Sequence, residues 1–96
     1  MISHVVIFRT KCDEHKKALL EEARKLGTIE TIDTFVCGIP HESARPVVDD
    51  TFAVALSVRF KNEEDMAVYA THPVHLRFNE FLAKNKVKVQ VFDIAE

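Results

Sequence analysis

The sequence predicts an α+β domain of ferredoxin-like βαββαβ order, an antiparallel four-stranded sheet with two helices on one face. Four runs rich in β-branched and aromatic residues have the alternation of strands, and two amphipathic stretches with helical spacing separate them. With 96 residues, the chain 1–96 is expected to form one domain. Two halves would each be too small to bury a core without disulfides or a metal.

The composition favours a partner that covers apolar surface. Hydrophobic residues make up 47% of the chain and include seven Phe, while a domain of this size buries only modest surface by itself. The formal net charge of -2 gives no attraction to phosphate backbones or anionic membranes. We therefore expect neither a nucleic acid nor a membrane partner.

The cysteines and the first residues predict a cytoplasmic protein. Cys12 and Cys37 are far apart in the sequence and suggest two reduced thiols. The opening residues lack the basic, apolar and small-residue regions of a signal peptide, and no apolar run is long enough to span a bilayer.

The first strand is predicted from Ile2 to Thr10 and carries apolar side chains on both faces. A strand buried on both sides needs helices over one face and a different cover over the other, which so short a chain cannot supply alone. A helix follows from about Glu14 to Leu26, with Asp13 as its cap and Gly27 at its end.

The second and third strands are predicted over Thr31 to Gly38 and Thr51 to Phe60, joined by a polar loop at 41–50. The later strand has large apolar residues on one face and alanines on the other, which suits close sheet packing. We interpret the loop as a surface connection, with a lid or a dimer contact as the alternative.

The second helix is predicted to start at Asn62, with Asp65 reaching back as in a capping box. Pro73 interrupts this helix because it lacks an N–H donor and forces the preceding residue out of helical dihedrals. The helix then restarts and continues to about Lys84, and Val87 to Ile94 forms the last strand.

Three polar side chains fall where the pattern predicts the interior: His4, Tyr69 and His75. In an apolar space between sheet and helices, an imidazole stays largely neutral and can act as a base, while a phenol can donate to a developing oxyanion. The neighbours that share their faces are apolar, among them Val6, Phe8 and Phe78.

A structural interpretation of these three residues stays open, because buried polar side chains are often bonded to a neighbouring group. A mutual network or a ligand would satisfy all three. His72 and His75 together with His4 suggest a metal site, but no acidic or thiolate ligand accompanies them, so no metal is predicted. His72 is better suited to cap the restarted helix or to face solvent. Two glycines are too few for a phosphate-binding loop.

Over essentially its whole length the chain resembles the stress-responsive A/B barrel (Dabb) domain family. The most specific part is the pattern from Tyr69 to His75: a tyrosine, a two-residue gap, His-Pro, a one-residue gap and a histidine. The other parts are the opening Ile2–Phe8, Gly38, the strand end Val58-Arg59-Phe60, and Val91-Phe92-Asp93. The resemblance implies a dimeric α/β barrel, in which the sheet of one protomer packs on that of a second and covers the apolar second face.

Within this family the chain is similar to the plant olivetolic acid cyclase-like polyketide cyclases. This resemblance implies that His75 is a general base that removes a proton beside a carbonyl, and that Tyr69 stabilises the enolate or positions the substrate. It implies no cofactor. The remaining ligand-binding residues that we expect are His4, Val6, Phe8, Leu19, Leu20, His72 and Phe78.

Three functions are compatible with these observations. The first is a small-molecule pocket with cofactor-free acid/base chemistry on a carbonyl, polyketide-like compound. The second is a noncatalytic stress-related dimer in which the polar residues are structural, and the third is a cofactor-free monooxygenase, as in related dimeric barrels. The expected partners are a second copy of the chain and a small apolar carbonyl-containing molecule.

Overall fold

The computed structural model describes residues 1–96 and confirms the ferredoxin-like fold. Its elements are β1 (Ile2–Arg9), α1 (Asp13–Arg24), a 3-10 turn (Lys25–Thr28), β2 (Thr34–Gly38), β3 (Val54–Phe60), α2 (Glu63–Thr71), α3 (Pro73–Lys84) and β4 (Lys88–Ala95). The interrupted second helix is thus two helices. None of the helices has the length and apolar character needed to cross a bilayer.

The four strands form one antiparallel sheet in the order β2-β3-β1-β4. The register aligns Leu56, Val6 and Val91 across the three strands β3, β1 and β4 on the face that the helices cover. α1 packs against β2 and β3, and α2 packs against β3. The core therefore lies over the middle of the sheet, and β4 is exposed along its whole length.

The face of the sheet opposite the helices is apolar and uncovered. Val5 and Phe92 stand side by side on this face, and Val36 lies in the same row beyond Ser57 of β3. Val36 is 69% exposed, and Phe92 and Ile94 are each 50% exposed. We call this surface the outer face. A contiguous apolar patch of this kind marks an interaction site.

Several predicted boundaries shift by one to three residues. Cys12 occupies the N-cap position of α1 without a side-chain bond, so Asp13 is the first helical residue and not the cap. A carboxylate in the first turn still complements the helix dipole. β2 and β3 begin three residues later than predicted, because Ile32 closes a turn with the carbonyl of Ile29 and Ala53 bonds the carbonyl of Phe8 before regular pairing starts.

The caps of α2 and α3 confirm the predicted break. The Asn62 side chain accepts a hydrogen bond from the Asp65 N–H at 2.8 Å, which is one half of the predicted capping box. His72 has an extended backbone, with φ -63° and ψ 141°, and Pro73 is the first residue of α3. The His72 Nδ1 accepts a hydrogen bond from the Val74 N–H at 3.1 Å. His72 therefore caps α3.

Gly27 has a different role from the one predicted. It lies inside the 3-10 turn that extends α1, and it has no positive φ, so it is not a left-handed helix end. A Cβ atom at this position would stand 2.8 Å from the Cδ1 of Phe35. The glycine is needed because the Phe35 ring of β2 packs directly against the turn.

Gly27→Ala is expected to destabilise the protein by about 1–2 kcal/mol, because the added methyl group forces the Phe35 ring out of place. Without this contact the substitution would stabilise the protein, since alanine lowers the conformational entropy of the unfolded chain. Urea unfolding followed by circular dichroism measures the difference. Gly38→Ala is the control, because a Cβ there meets nothing within 4 Å. Equal stability of Gly27→Ala and the wild type would contradict this account.

Candidate functional site

A cavity of 260 Å³ lies between the helices and the half of the sheet formed by β1 and β4. Eleven of its fourteen lining residues are hydrophobic, so its walls offer few polar contacts. They are Val6, Phe8, Leu26, Leu56, Met66, Tyr69, Ala70, Phe78, Leu82, Val89 and Val91, and the other three are His4, His75 and Asn79. His4, Tyr69 and His75, singled out in the sequence, thus share one cavity.

The break between α2 and α3 brings Tyr69 and His75 together. In a continuous helix, residues six apart are about 9 Å apart along the axis and about 120° apart around it. Here the ring centroids are 4.8 Å apart, in an edge-to-face arrangement at 78°. Tyr69 is 2% exposed and also packs on Phe60, at a centroid distance of 5.0 Å. The extended backbone of His72 turns α3 so that both rings face the cavity.

His4 reaches the cavity from β1 and pairs with a carboxylate on the neighbouring strand. Its Nδ1 lies 2.5 Å from the Oδ1 of Asp93, the residue opposite it in the register of β1 and β4. Its ring centroid is 6.1 Å from that of Tyr69, again edge to face. A carboxylate on one ring nitrogen fixes the orientation of the imidazole and leaves the other nitrogen available.

Burial sets the protonation states of the other two polar groups. Burial lowers the pKa of His75 below its ordinary value, and the nearby His4 imidazole lowers this pKa further. The backbone of His75 itself opposes the decrease in part. Burial also raises the pKa of Tyr69 well above its ordinary range, with a smaller contribution from Cys37. At neutral pH the site therefore holds a neutral imidazole and a protonated phenol.

Two polar groups of the site lack partners in the protein. The Nδ1 of His75 is buried and makes no hydrogen bond. The Tyr69 hydroxyl takes part in none of the side-chain hydrogen bonds of the molecule. Buried polar atoms are rarely left unbonded in folded proteins. The Tyr69 hydroxyl is thus a donor open to a ligand, and the His75 imidazole keeps a nitrogen lone pair that no protein group uses.

Three of the expected ligand-binding residues do not line the cavity. Leu19 is fully buried in the core and Leu20 packs against that core, because α1 covers β2 and β3 while the cavity lies toward β4. His72 uses its Nδ1 to cap α3, and its Nε2 lies 3.7 Å from Glu30. Of the other expected residues, all six line the cavity: His4, Val6, Phe8, Tyr69, His75 and Phe78.

Asp93, which holds His4, and several apolar wall residues were not among the residues predicted from the sequence. The signal for Asp93 is the alternation of β4, where Val89, Val91 and Asp93 share one face, so an acid interrupts an apolar series. Asn79 is one helical turn beyond His75 and its side chain faces the same cavity. No three His, Cys, Asp or Glu side chains cluster as metal ligands.

The family model of the stress responsive A/B barrel domain matches residues 2–96. The chain belongs to this family. A Dabb relative, a stress-response A/B barrel domain-containing protein of Arabidopsis thaliana, is 31% identical over 81 residues. The match covers 80% of this chain and 29% of the plant protein, so the chain spans less than a third of that relative.

Solved structures share the Dabb fold at lower identity. A dimeric protein of unknown function from Bacteroides fragilis is 24% identical, with a TM-score of 0.75, covering 99% of this chain and 95% of that one. A Dabb family protein from Mesorhizobium loti gives the same identity, TM-score and coverage. The At3g17210 protein of Arabidopsis thaliana is 23% identical, with a TM-score of 0.72 and coverage of 100% and 95%. At these identities the likeness shows the fold.

The depressed pKa of His75 predicts an acid-sensitive contribution to stability. Because the folded state disfavours the charged imidazole, the contribution is complete above the unfolded pKa of about 6.5 and is lost as the pH falls below it. Between pH 7.5 and pH 5.5, the melting temperature of the wild type should therefore fall more than that of His75→Gln. His41→Gln, in the exposed loop, is the control and should follow the wild type. Parallel profiles for His75→Gln and the wild type would show that His75 does not contribute.

Proposed function

We propose that the cavity binds a small apolar carbonyl compound and that His75 and Tyr69 carry out cofactor-free acid/base chemistry on it. The observation that carries the proposal is the meeting of a neutral imidazole and a protonated phenol in one apolar cavity, each with an unpaired polar atom. The volume of 260 Å³ is near the lower end of ligand sites, about 300 Å³. The cavity therefore suits a small substrate.

The chemistry begins with removal of a proton from the carbon next to a carbonyl. The C–H bond breaks, its proton goes to the His75 imidazole, and the electron pair forms an enolate whose oxygen accepts a hydrogen bond from the Tyr69 hydroxyl. The enolate carbon then attacks a second carbonyl of the same molecule, and the imidazolium returns its proton to the new alkoxide. No oxidant or cofactor is required.

His4 and Asp93 form the second polar end of the site. Asp93 is half exposed and His4 is mostly buried, so the carboxylate holds the ring from the open edge of the sheet. In this proposal the His4 Nδ1–H donates to Asp93, and the other ring nitrogen accepts a hydrogen bond from an enol hydroxyl of the substrate. The apolar walls exclude water, which strengthens the hydrogen bonds made to the substrate.

The similarity to the plant olivetolic acid cyclase-like enzymes supports a polyketide-like substrate. The tyrosine and the histidine on which that similarity rests are the two residues whose rings meet in the cavity. Most of the cavity walls are aliphatic, with two aromatic rings from Phe8 of β1 and Phe78 of α3 and none from α1. We infer an aliphatic chain next to the reacting carbonyls.

The test is turnover of linear polyketide-like β-triketones, which are long enough for the enolate carbon to close a six-membered ring on a second carbonyl, by the wild type, His75→Ala and Tyr69→Phe, measured as appearance of the cyclised product. Loss of the base is expected to lower kcat/KM by about 10²- to 10⁴-fold. Loss of the phenol O–H is expected to lower it by about 10²-fold, because the enolate loses its donor.

His41→Gln serves as the control, because the His41 imidazole is exposed and does not line the cavity. Circular dichroism of each variant separates lost chemistry from lost folding. Equal rates for His75→Ala and the wild type would end the enzyme proposal and favour a noncatalytic role for the same residues.

We also propose that a second copy of the chain covers the outer face. The neighbouring apolar residues Val5 and Phe92 support this, as does the description of the similar Bacteroides fragilis protein as dimeric. In a twofold arrangement the same patch on each copy is self-complementary.

The dimer proposal predicts a sedimentation mass twice the 11.0 kDa of one chain at micromolar concentration. Phe92→Lys is expected to weaken association about 30-fold, as for an aromatic residue at the centre of an interface. Val68→Lys is the matched control, because Val68 is 45% exposed on α2 and lies away from the outer face. A wild-type mass of one chain would rule out the dimer.

A further inference from the structure

We propose that a second site, a groove where β1 ends and β4 begins, binds a small phosphate-type dianion. The anion is either free phosphate or the phosphate group of a small ester. The groove has a volume of 570 Å³, and its lining contains four cationic side chains and no carboxylate. They are Arg9, Lys11, Lys86 and Lys88. The proposal does not depend on the function of the apolar cavity.

The sheet register places two of these cations directly opposite each other. Arg9, the last residue of β1, pairs with Lys88, the first residue of β4, and both lie at the end of the outer face, four residues along their strands from Val5 and Phe92. Like charges at opposed positions of neighbouring strands are destabilising. Arg9 donates to the Gln90 Oε1 at 2.9 Å, and its Nη2 is 4.0 Å from the Asp49 carboxylate. This carboxylate offsets only part of the positive charge.

The three lysines of the groove have no counter-ion in the protein. None of the six ion pairs of the molecule involves Lys11, Lys86 or Lys88. The Thr10 hydroxyl also lines the groove and accepts a hydrogen bond from the Cys12 N–H at 3.4 Å, so its own proton is available to a ligand oxygen. The groove thus combines unpaired cations with a neutral donor.

Lys86 occupies a backbone position that ordinarily favours glycine. Its φ is 52°, and it is the only residue other than glycine with a positive φ in the chain. The Lys86 N–H bonds the Ala83 carbonyl and the Val87 N–H bonds the Leu82 carbonyl, which is the hydrogen-bond pattern of a Schellman motif at the end of α3. A lysine in this backbone conformation is strained, and the fold itself does not require a side chain at this position.

The number of cations indicates a dianion of small size. One guanidinium is enough to pair a single carboxylate, whereas a phosphate has more oxygens and a second charge for the neighbouring ammonium groups. The net charge of the chain is -2, so it does not attract extended polyanions. The volume of the groove lies within the range of small-molecule sites.

Calorimetric titration of the full chain with inorganic phosphate and with glycerol 3-phosphate, at constant ionic strength, tests the proposal. Saturable binding is expected, and Lys88→Gln should weaken it about fivefold, as for an exposed ion pair near the upper end of its range. Lys61→Gln is the matched control, because it removes one exposed charge outside the groove. Tighter binding of the ester assigns the groove to an ester, and equal affinity assigns it to the phosphate group alone.

Lys86→Gly gives a second test, in which stability and phosphate binding are expected to change in opposite directions. Glycine relieves the backbone strain, so the melting temperature without phosphate should rise while phosphate binding weakens about fivefold. The proposal is overturned if neither anion binds saturably, if Lys61→Gln weakens binding as much as Lys88→Gln, or if Lys86→Gly leaves the affinity unchanged. None of these variants alters a residue of the apolar cavity, so this test and that of the enzyme proposal fail separately.

Discussion

The interruption at His72 and Pro73 is the constraint on which the candidate site depends. Pro73 has no N–H to donate and fixes its own φ, and the His72 side chain compensates by accepting from the Val74 N–H. Because the backbone turns here, Tyr69 and His75 meet over the cavity, where a continuous helix would hold them on different sides. The most specific motif of the sequence is therefore also the geometric origin of the site.

The second constraint is that one layer of helices covers only part of a sheet that is apolar on both faces. Only 14 of the 96 residues are buried, so the single chain draws limited stability from its core. The helices leave the inner side of β4 uncovered, which opens the cavity along Val89 and Val91, and no second layer covers the outer face, where Phe92 is exposed. The cavity and the apolar outer face thus have one common cause.

The sequence predicts the order of elements, the helix break and the meeting of His4, Tyr69 and His75, because each depends on local periodicity or on proline. It does not predict Asp93, whose pairing with His4 requires the register between the first and the last strand. The side of the sheet that α1 covers is likewise tertiary information, and for this reason Leu19 and Leu20 belong to the core and not to the cavity. The role of Gly27 depends on a ring in β2 that no local pattern reveals.

Residues that violate a local rule without a compensating contact are the ones to examine for function. Gly27 loses helix propensity, but the Phe35 ring explains it. The Nε of Arg59 is also buried and unpaired, but the guanidinium of this residue bonds the Glu96 carboxylate through its Nη2. No such compensation exists for the buried Nδ1 of His75, and the Schellman hydrogen bonds at Lys86 account for its left-handed backbone but not for a lysine in place of glycine. These two positions lie in different depressions of the surface, which favours two ligands of different chemistry on one small domain.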